Sequence, residues 1–297
     1  CSFFFERTLR GVDLLEPALM FLLLLLTLPP LLLGVINKTK AFFAGRVGPP
    51  CLQSYYDLNR LFRKGLVISS TTTWIFVAGP PISLAATLLA GLLIPLGGMP
   101  APIAFTGDMM LFIYLFGLGR FFTTAAALDT GSAFEGMGAA REVSFACLSE
   151  PAWFFALLAL SKLSGSFQLT DMLHAPLQSS MVAPLVLIGS GLSVVVLAEN
   201  CRIPVDDPNT HLELTMIHEV MVQDHSGPLF GLVLYGAAIK LFVLGTFLLH
   251  VALPFGTGSW VGDTLLFIVK ILLLAVGIGV VESVMARLRM LHLPYLL

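Results

Sequence analysis

The chain has 297 residues, of which 57% are apolar and only 11% charged, with a mean hydropathy of +0.92 and a formal net charge of −2. A soluble domain carries about 25% charged residues, so there is too little polar surface here to cover a water-soluble globule. The same figures exclude a disordered chain and a disulfide-built secreted module, and no basic patch suggests nucleic acid.

Seven apolar runs approach the roughly 20 residues a transmembrane helix needs. They fall at 17–36, 74–96, 109–128, 143–163, 181–199, 229–252 and 263–285. The expected fold is therefore all-α: one polytopic bundle of about seven spans over residues 1–297. Pro29 and Pro30 lie inside the first span and predict a kink or break there. No cleavable signal peptide is expected, because the first run lacks the basic flank and small-residue cleavage site. No internal repeat is evident, which weakens an inverted-repeat transporter reading.

After the first span, loop 37–73 holds Lys38, Lys40, Arg46, Arg60, Arg63 and Lys64. Within it, Leu58, Leu61 and Phe62 recur at helical spacing against Asp57, Arg60, Arg63 and Lys64. That pattern predicts a short amphipathic helix on the membrane surface, or a docking platform for a soluble partner. Loop 129–142 carries glycines at 131, 136 and 138, which permit close backbone approach or a re-entrant bend. It lacks the lysine-bearing phosphate-loop pattern. Loop 199–228 is rich in acids and contains His211, His218 and His225, spaced by seven. Pro208, Gly227 and Pro228 bracket the histidines and no H-E-x-x-H occurs, so protonatable loop residues are expected rather than metal ligands. The four cysteines (Cys1, Cys51, Cys147, Cys201) form no C-x-x-C pair, which argues against an iron–sulfur or zinc site in this chain.

With seven spans these three loops and the C-terminus share one side, which also gains Arg141, Arg202, Arg287 and Arg289. The other side has Arg7, Arg10 and Lys162. The positive-inside rule then puts the N-terminus outside and the main loops in the cytoplasm. Twelve carboxylates follow the basic residues: Asp57, Asp129, Glu135, Glu142, Glu150, Glu199, Asp206, Asp207, Glu213, Glu219, Asp224 and Glu282. Orientation does not require them, so they point to business on that side. Arg120, Glu150, Lys240 and Lys270 fall within spans. Each costs about 2.5–3.5 kcal/mol at the bilayer centre, so each is expected to pair, either structurally or as part of an ion relay. Lys270 is the weakest candidate, because it could snorkel outward.

The segments GRVGPPCLQSYYD (45–57), GRFFTTAAALDTGSAFEGMGAARE (119–142) with Glu150, AENCRIPVDDPNTHLEL (198–214) and ESVMARLR (282–289) occur in this order. Together they resemble the membrane subunit 1 family of respiratory complex I, and more closely its relatives in formate hydrogenlyase and other energy-converting [NiFe] hydrogenases. The resemblance covers residues 17–292. It implies a non-catalytic membrane anchor that couples electron transfer in partner subunits to proton or sodium movement. It implies no cofactor in this chain, iron–sulfur clusters and a [NiFe] centre in hydrogenase-like partners, and antiporter-like membrane neighbours in a cell inner membrane. By position, Arg46 and Asp57, with Arg60, Arg63 and Lys64, would serve docking. Asp129, Arg141, Glu150, Glu199, Arg202, Asp206 and Glu213, joined through the charge pattern by Glu135, Glu142, Asp207, Arg120 and Lys240, would form the charged route. The run IPVDDPNTHLEL, without the Phe and the further acid of complex I relatives, turns the reading toward the hydrogenase branch. The alternative is a complex I type subunit lining a quinone chamber. A stand-alone secondary transporter is a remote third reading. Relatives carry an eighth span after the MARLR-like motif, which is expected to be missing here or to lie outside this sequence.

Overall fold

The computed structural model describes residues 2–173, 182–203 and 218–285, with side chains described from residue 16 onward. Among these residues the chain forms ten helices: α1 (Ser2–Phe43), α2 (Gln53–Phe62), α3 (Trp74–Leu92), α4 (Asp108–Asp129), α5 (Ala133–Ser164), α6 (Leu169–Leu173), α7 (Val182–Glu199), α8 (His218–Met221), α9 (Gly227–Ala252) and α10 (Trp260–Val284). The expected seven spans are α1, α3, α4, α5, α7, α9 and α10, each long and apolar enough to cross a bilayer. The expected amphipathic helix is α2.

Helix α9 is the axis of the bundle. It packs against α1, α2, α3, α6, α7 and α10, and it buries Ile239, Leu241, Phe242, Leu244, Phe247 and their neighbours on several faces. A helix that is apolar all round belongs inside. Helices α3 and α4 pack along each other, and α10 packs along α1.

Two expectations are revised. Of the kink or break expected at Pro29 and Pro30, the break does not occur, because helix α1 runs through both residues. Pro30 removes the donor that Leu26 O would accept, and Tyr235 Oη of α9 donates to that carbonyl at 2.8 Å. Tyr55 of α2 also donates to Thr27 O on the next residue. The Tyr235 hydroxyl thus fills the gap that Pro30 opens, as neighbouring helices do inside membranes. The re-entrant bend at 129–142 is also absent. Gly131 has φ +70° and turns the chain, but Gly136 and Gly138 lie within α5, which starts ten residues before the expected span. Glu135, Arg141 and Glu142 are therefore helical residues.

Cross-links join the loops at one end of the bundle. Asp129, at the end of α4, accepts from Thr73 N at 2.6 Å and Thr73 Oγ1 at 2.8 Å, and Thr73 caps α3. Glu135 accepts from Asp224 N at 3.0 Å. Ser226 Oγ accepts from Val67 N at 3.0 Å and donates to Val67 O at 2.9 Å. These bonds place loops 44–73, 130–132 and 222–226 together.

Candidate functional site

Arg120 sits nine residues before the end of α4, and Lys240 thirteen residues into α9. At 1.5 Å per residue both lie well inside the bundle, roughly 13 Å and 20 Å from their helix ends. Helix α7 ends at this depth. Its last residue, Glu199, has a side chain only 3% exposed and lies between the two cations. Arg120 Nη2 reaches Glu199 Oε2 at 2.5 Å, and Lys240 Nζ reaches the same oxygen at 2.9 Å. Ser149 Oγ donates to the other oxygen, Glu199 Oε1, at 2.5 Å. Arg120 also pairs with Glu142, at 3.3 Å, and with Glu150. Lys240 further donates to Glu199 O at 2.7 Å, so it caps the carbonyl end of α7, where the helix dipole favours a cation.

The chain leaves α7 through a tight turn. Cys201 has φ +48°, Cys201 N donates to Ala198 O at 3.0 Å, and Arg202 N donates to Leu197 O at 2.9 Å. This is the left-handed helix ending that glycine usually provides. It carries Arg202 to a second cluster. Arg202 Nη1 is 3.3 Å from Glu282 Oε1, and Lys40 Nζ is 2.9 Å from Glu282 Oε2. These pairs tie the end of α7 to α1 and α10.

A cavity of about 420 Å³ joins the first cluster to the loops. Its wall includes Arg120, Glu142, Glu199 and Lys240, together with Asp57, Arg202, His218, Glu219 and His225.

Of the expected charged route, Arg120, Glu142, Glu150, Glu199 and Lys240 meet in one cluster, and Arg202 lies in the adjoining one. Asp129 and Glu135 do not join either; they bind Thr73 and the 224 backbone at the mouth. Arg141 is half-buried on α5, one residue before Glu142. Asp206, Asp207 and Glu213 lie outside the described residues, as do His211, Arg287 and Arg289. Of the expected docking set, Arg46, Arg60, Arg63 and Lys64 are exposed. Asp57 is instead half-buried on the cavity wall and accepts from Gln53 Nε2 at 3.0 Å. Lys270 reaches away from the cluster and donates to Leu253 O at 2.8 Å and Phe255 O at 2.6 Å. Sequence reasoning did not place Ser149, Lys40, Glu282 or His225 in the site. For Glu282 a signal existed, namely a carboxylate inside an apolar run. Among the described residues no three His, Cys, Asp or Glu side chains converge as metal ligands would.

Fold and site define a multi-pass helical membrane protein built around paired charges. The chain belongs to the NADH dehydrogenase family, whose profile matches residues 16–297. It is 30% identical to formate hydrogenlyase subunit 4 of Escherichia coli K12, over 90% of this chain and 89% of that one. It is 30% identical to hydrogenase-4 component C of the same organism, over 96% and 92%. An NADH-quinone oxidoreductase subunit of Syntrophotalea carbinolica is 28% identical over 80% and 74%. A chain of the membrane-bound sulfane sulfur reductase, an archaeal respiratory membrane complex, shares the fold with a TM-score of 0.82 at 22% identity, covering 95% of this chain and 94% of that one. The protein is thus a membrane subunit of the hydrogenase-4, formate hydrogenlyase and complex I type.

Proposed function

We propose that this chain is the non-catalytic anchor and ion-coupling subunit of an energy-converting membrane hydrogenase of the formate hydrogenlyase type. Its exposed Arg46, Arg60, Arg63 and Lys64 dock soluble hydrogenase and iron–sulfur partners on the cytoplasmic side, with the N-terminus outside. The observation that carries the reading is the Arg120 cluster. Three carboxylates, Glu142, Glu150 and Glu199, face two cations, Arg120 and Lys240. Fully ionised, the group keeps one negative charge, which a single proton neutralises. Moving charge near the cavity then changes the proton affinity of the cluster, most strongly where water is scarce. Glu150, with its side chain 46% exposed on the flank of the bundle, is too costly to leave in lipid. An antiporter-like membrane neighbour covering that flank would receive the charge.

A quinone-binding variant of this reading is supported by the cavity itself, since about 420 Å³ falls within the range of small-molecule pockets. The test is purification of the complex through a tag on this chain, with partner identification by mass spectrometry and a nickel assay. Nickel with a hydrogenase large subunit and iron–sulfur proteins is the expected result. Quinone and a flavin-bearing dehydrogenase arm without nickel would move the chain to the complex I type. Glu150→Gln and Glu199→Gln should assemble yet lose ion translocation. Full pumping in both would sink the relay.

A further inference from the structure

His225 lines the inner cavity from the loop between α8 and α9. It is only 7% exposed, and its ring stacks on Phe76 of α3 with centroids 4.1 Å apart and planes at 28°. Neither ring nitrogen closes a full hydrogen bond among the described residues, although the Phe76 backbone lies near enough to favour the charged ring. A buried polar atom without a partner is destabilising, and native proteins keep such atoms for a reason. Packing is not that reason, because a phenylalanine would stack on Phe76 without the cost.

The backbone beside the ring is held independently of it. Glu135 binds Asp224 N, Ser226 binds both backbone atoms of Val67, and Gly227 backs onto the Gly65 carbonyl so closely that a Cβ would lie 2.6 Å from its oxygen. The loop is thus positioned without the imidazole nitrogens, and they are left for what the cavity contains.

The charged surroundings suit a proton. Asp224 adjoins the ring on its own loop, and Glu135 of α5 lies behind that loop. Along the cavity wall stand Asp57 of α2, His218 and Glu219 of α8, Arg202 after α7, and then the cluster of Arg120, Glu142, Glu199 and Lys240. Phe76 offers α3's aromatic face.

We propose that His225 is a proton carrier of this cavity: its neutral ring takes a proton from cavity water at one nitrogen and releases one toward the Arg120–Glu199 cluster. The direction of travel rests on the coupling function proposed above. Burial holds the imidazole below the ordinary histidine pKa, with the Phe76 backbone and Asp224 opposing in part. The resting ring is then neutral near pH 7, an empty acceptor.

The test has two arms. In the purified full chain, carrying ¹⁵N-labelled histidine, the NMR signal that disappears in His225→Phe should titrate with a midpoint below about 6.5. In the assembled complex, His225→Phe and His225→Gln should both retain their partners but lose proton translocation. A ring locked in one protonation state between about pH 4 and 8, a range spanning the ordinary histidine value, overturns the proposal. So does full translocation in either variant. The titration is read on the chain alone, so a locked ring overturns the carrier even where no redox partner co-purifies, an outcome that overturns the functional reading instead.

Discussion

Glu199 is held by two cations and a hydroxyl at the point where α7 ends, and the three bonds respond differently to mutation. Arg120 bridges three carboxylates from two helices. Replacing it by methionine leaves Lys240 alone against all three. Breaking a buried pair from one side costs about 3–5 kcal/mol, so Arg120→Met should lower the melting temperature in detergent markedly. Glu199→Gln should cost less, because the amide oxygen still accepts from Arg120 and Lys240 while its NH2 donates to Ser149 Oγ. Equal losses in the two variants would show that the cluster is not centred on Arg120. His225 adds a pH dependence. Its folded-state pKa is lowered by burial, so above about pH 6.5 neither state carries the charge and stability is full. As pH falls through that value the unfolded chain takes up the proton first, and stability declines by at most about 1.4 kcal/mol per pH unit. The decline from pH 7 to 5 should be shallower in His225→Phe. Parallel curves for the two proteins would mean the ring is not protonated differently on unfolding.

At the scale of helices, hydropathy located every span but misplaced two features. It put the start of the fourth span at residue 143, because Glu135, Gly136, Gly138, Arg141 and Glu142 dilute the apolar run. The backbone sees something else: no proline interrupts 133–150, and Glu135 sits in the first turn, where the dipole favours an acid. Of the glycines that suggested a bend, Gly136 and Gly138 are ordinary helical residues, and only Gly131 turns the chain. A Cβ at Gly136 would meet nothing within 4 Å, so Gly136→Ala should stabilise by about 0.5–1 kcal/mol in a detergent melt. Destabilisation would restore the bend. The prolines of α1 misled in the opposite way. Their local effect is real, but its remedy comes from Tyr235, some two hundred residues along, and no local pattern reveals that. Tyr235→Phe should cost about 1–3 kcal/mol by orphaning Leu26 O. In a Pro30→Leu background, which restores the helical donor, the cost should largely vanish. A double-mutant cycle without that coupling would separate Tyr235 from the proline. The cluster itself was half legible for the same reason. Arg120, Glu150 and Lys240 announce themselves as charges in apolar runs, whereas Ser149 and the depth at which α7 ends depend on packing.

In the whole molecule, the charges have an open side and a closed side. The cavity of about 420 Å³ joins the cluster to the loops. Away from the loops stand Phe112, Trp153 and Phe247, buried and in mutual contact at centroid distances of 5.2–6.4 Å. Phe112 and Trp153 also border the small cavity beside Arg120, Glu150 and Glu199, of only about 20 Å³, roughly the room one water needs. Beyond them Leu157, Leu160 and Leu248 are buried, and the buried hydroxyls of Ser161 and Thr246 each donate to a carbonyl of their own helix. A proton moves along water or linked polar groups, and the three packed rings supply neither. The chain by itself should therefore not conduct across the bilayer, although half of the path is polar. Reconstituted alone in liposomes under an imposed pH gradient, it should leak no faster than protein-free vesicles. Trp153→Ala with Phe247→Ala opens space beside Arg120 and Glu150, and water entering there should raise the leak. Equal leaks in the double variant and the parent would place the barrier elsewhere, and rapid conduction by the parent would mean that the aromatic layer does not close the path.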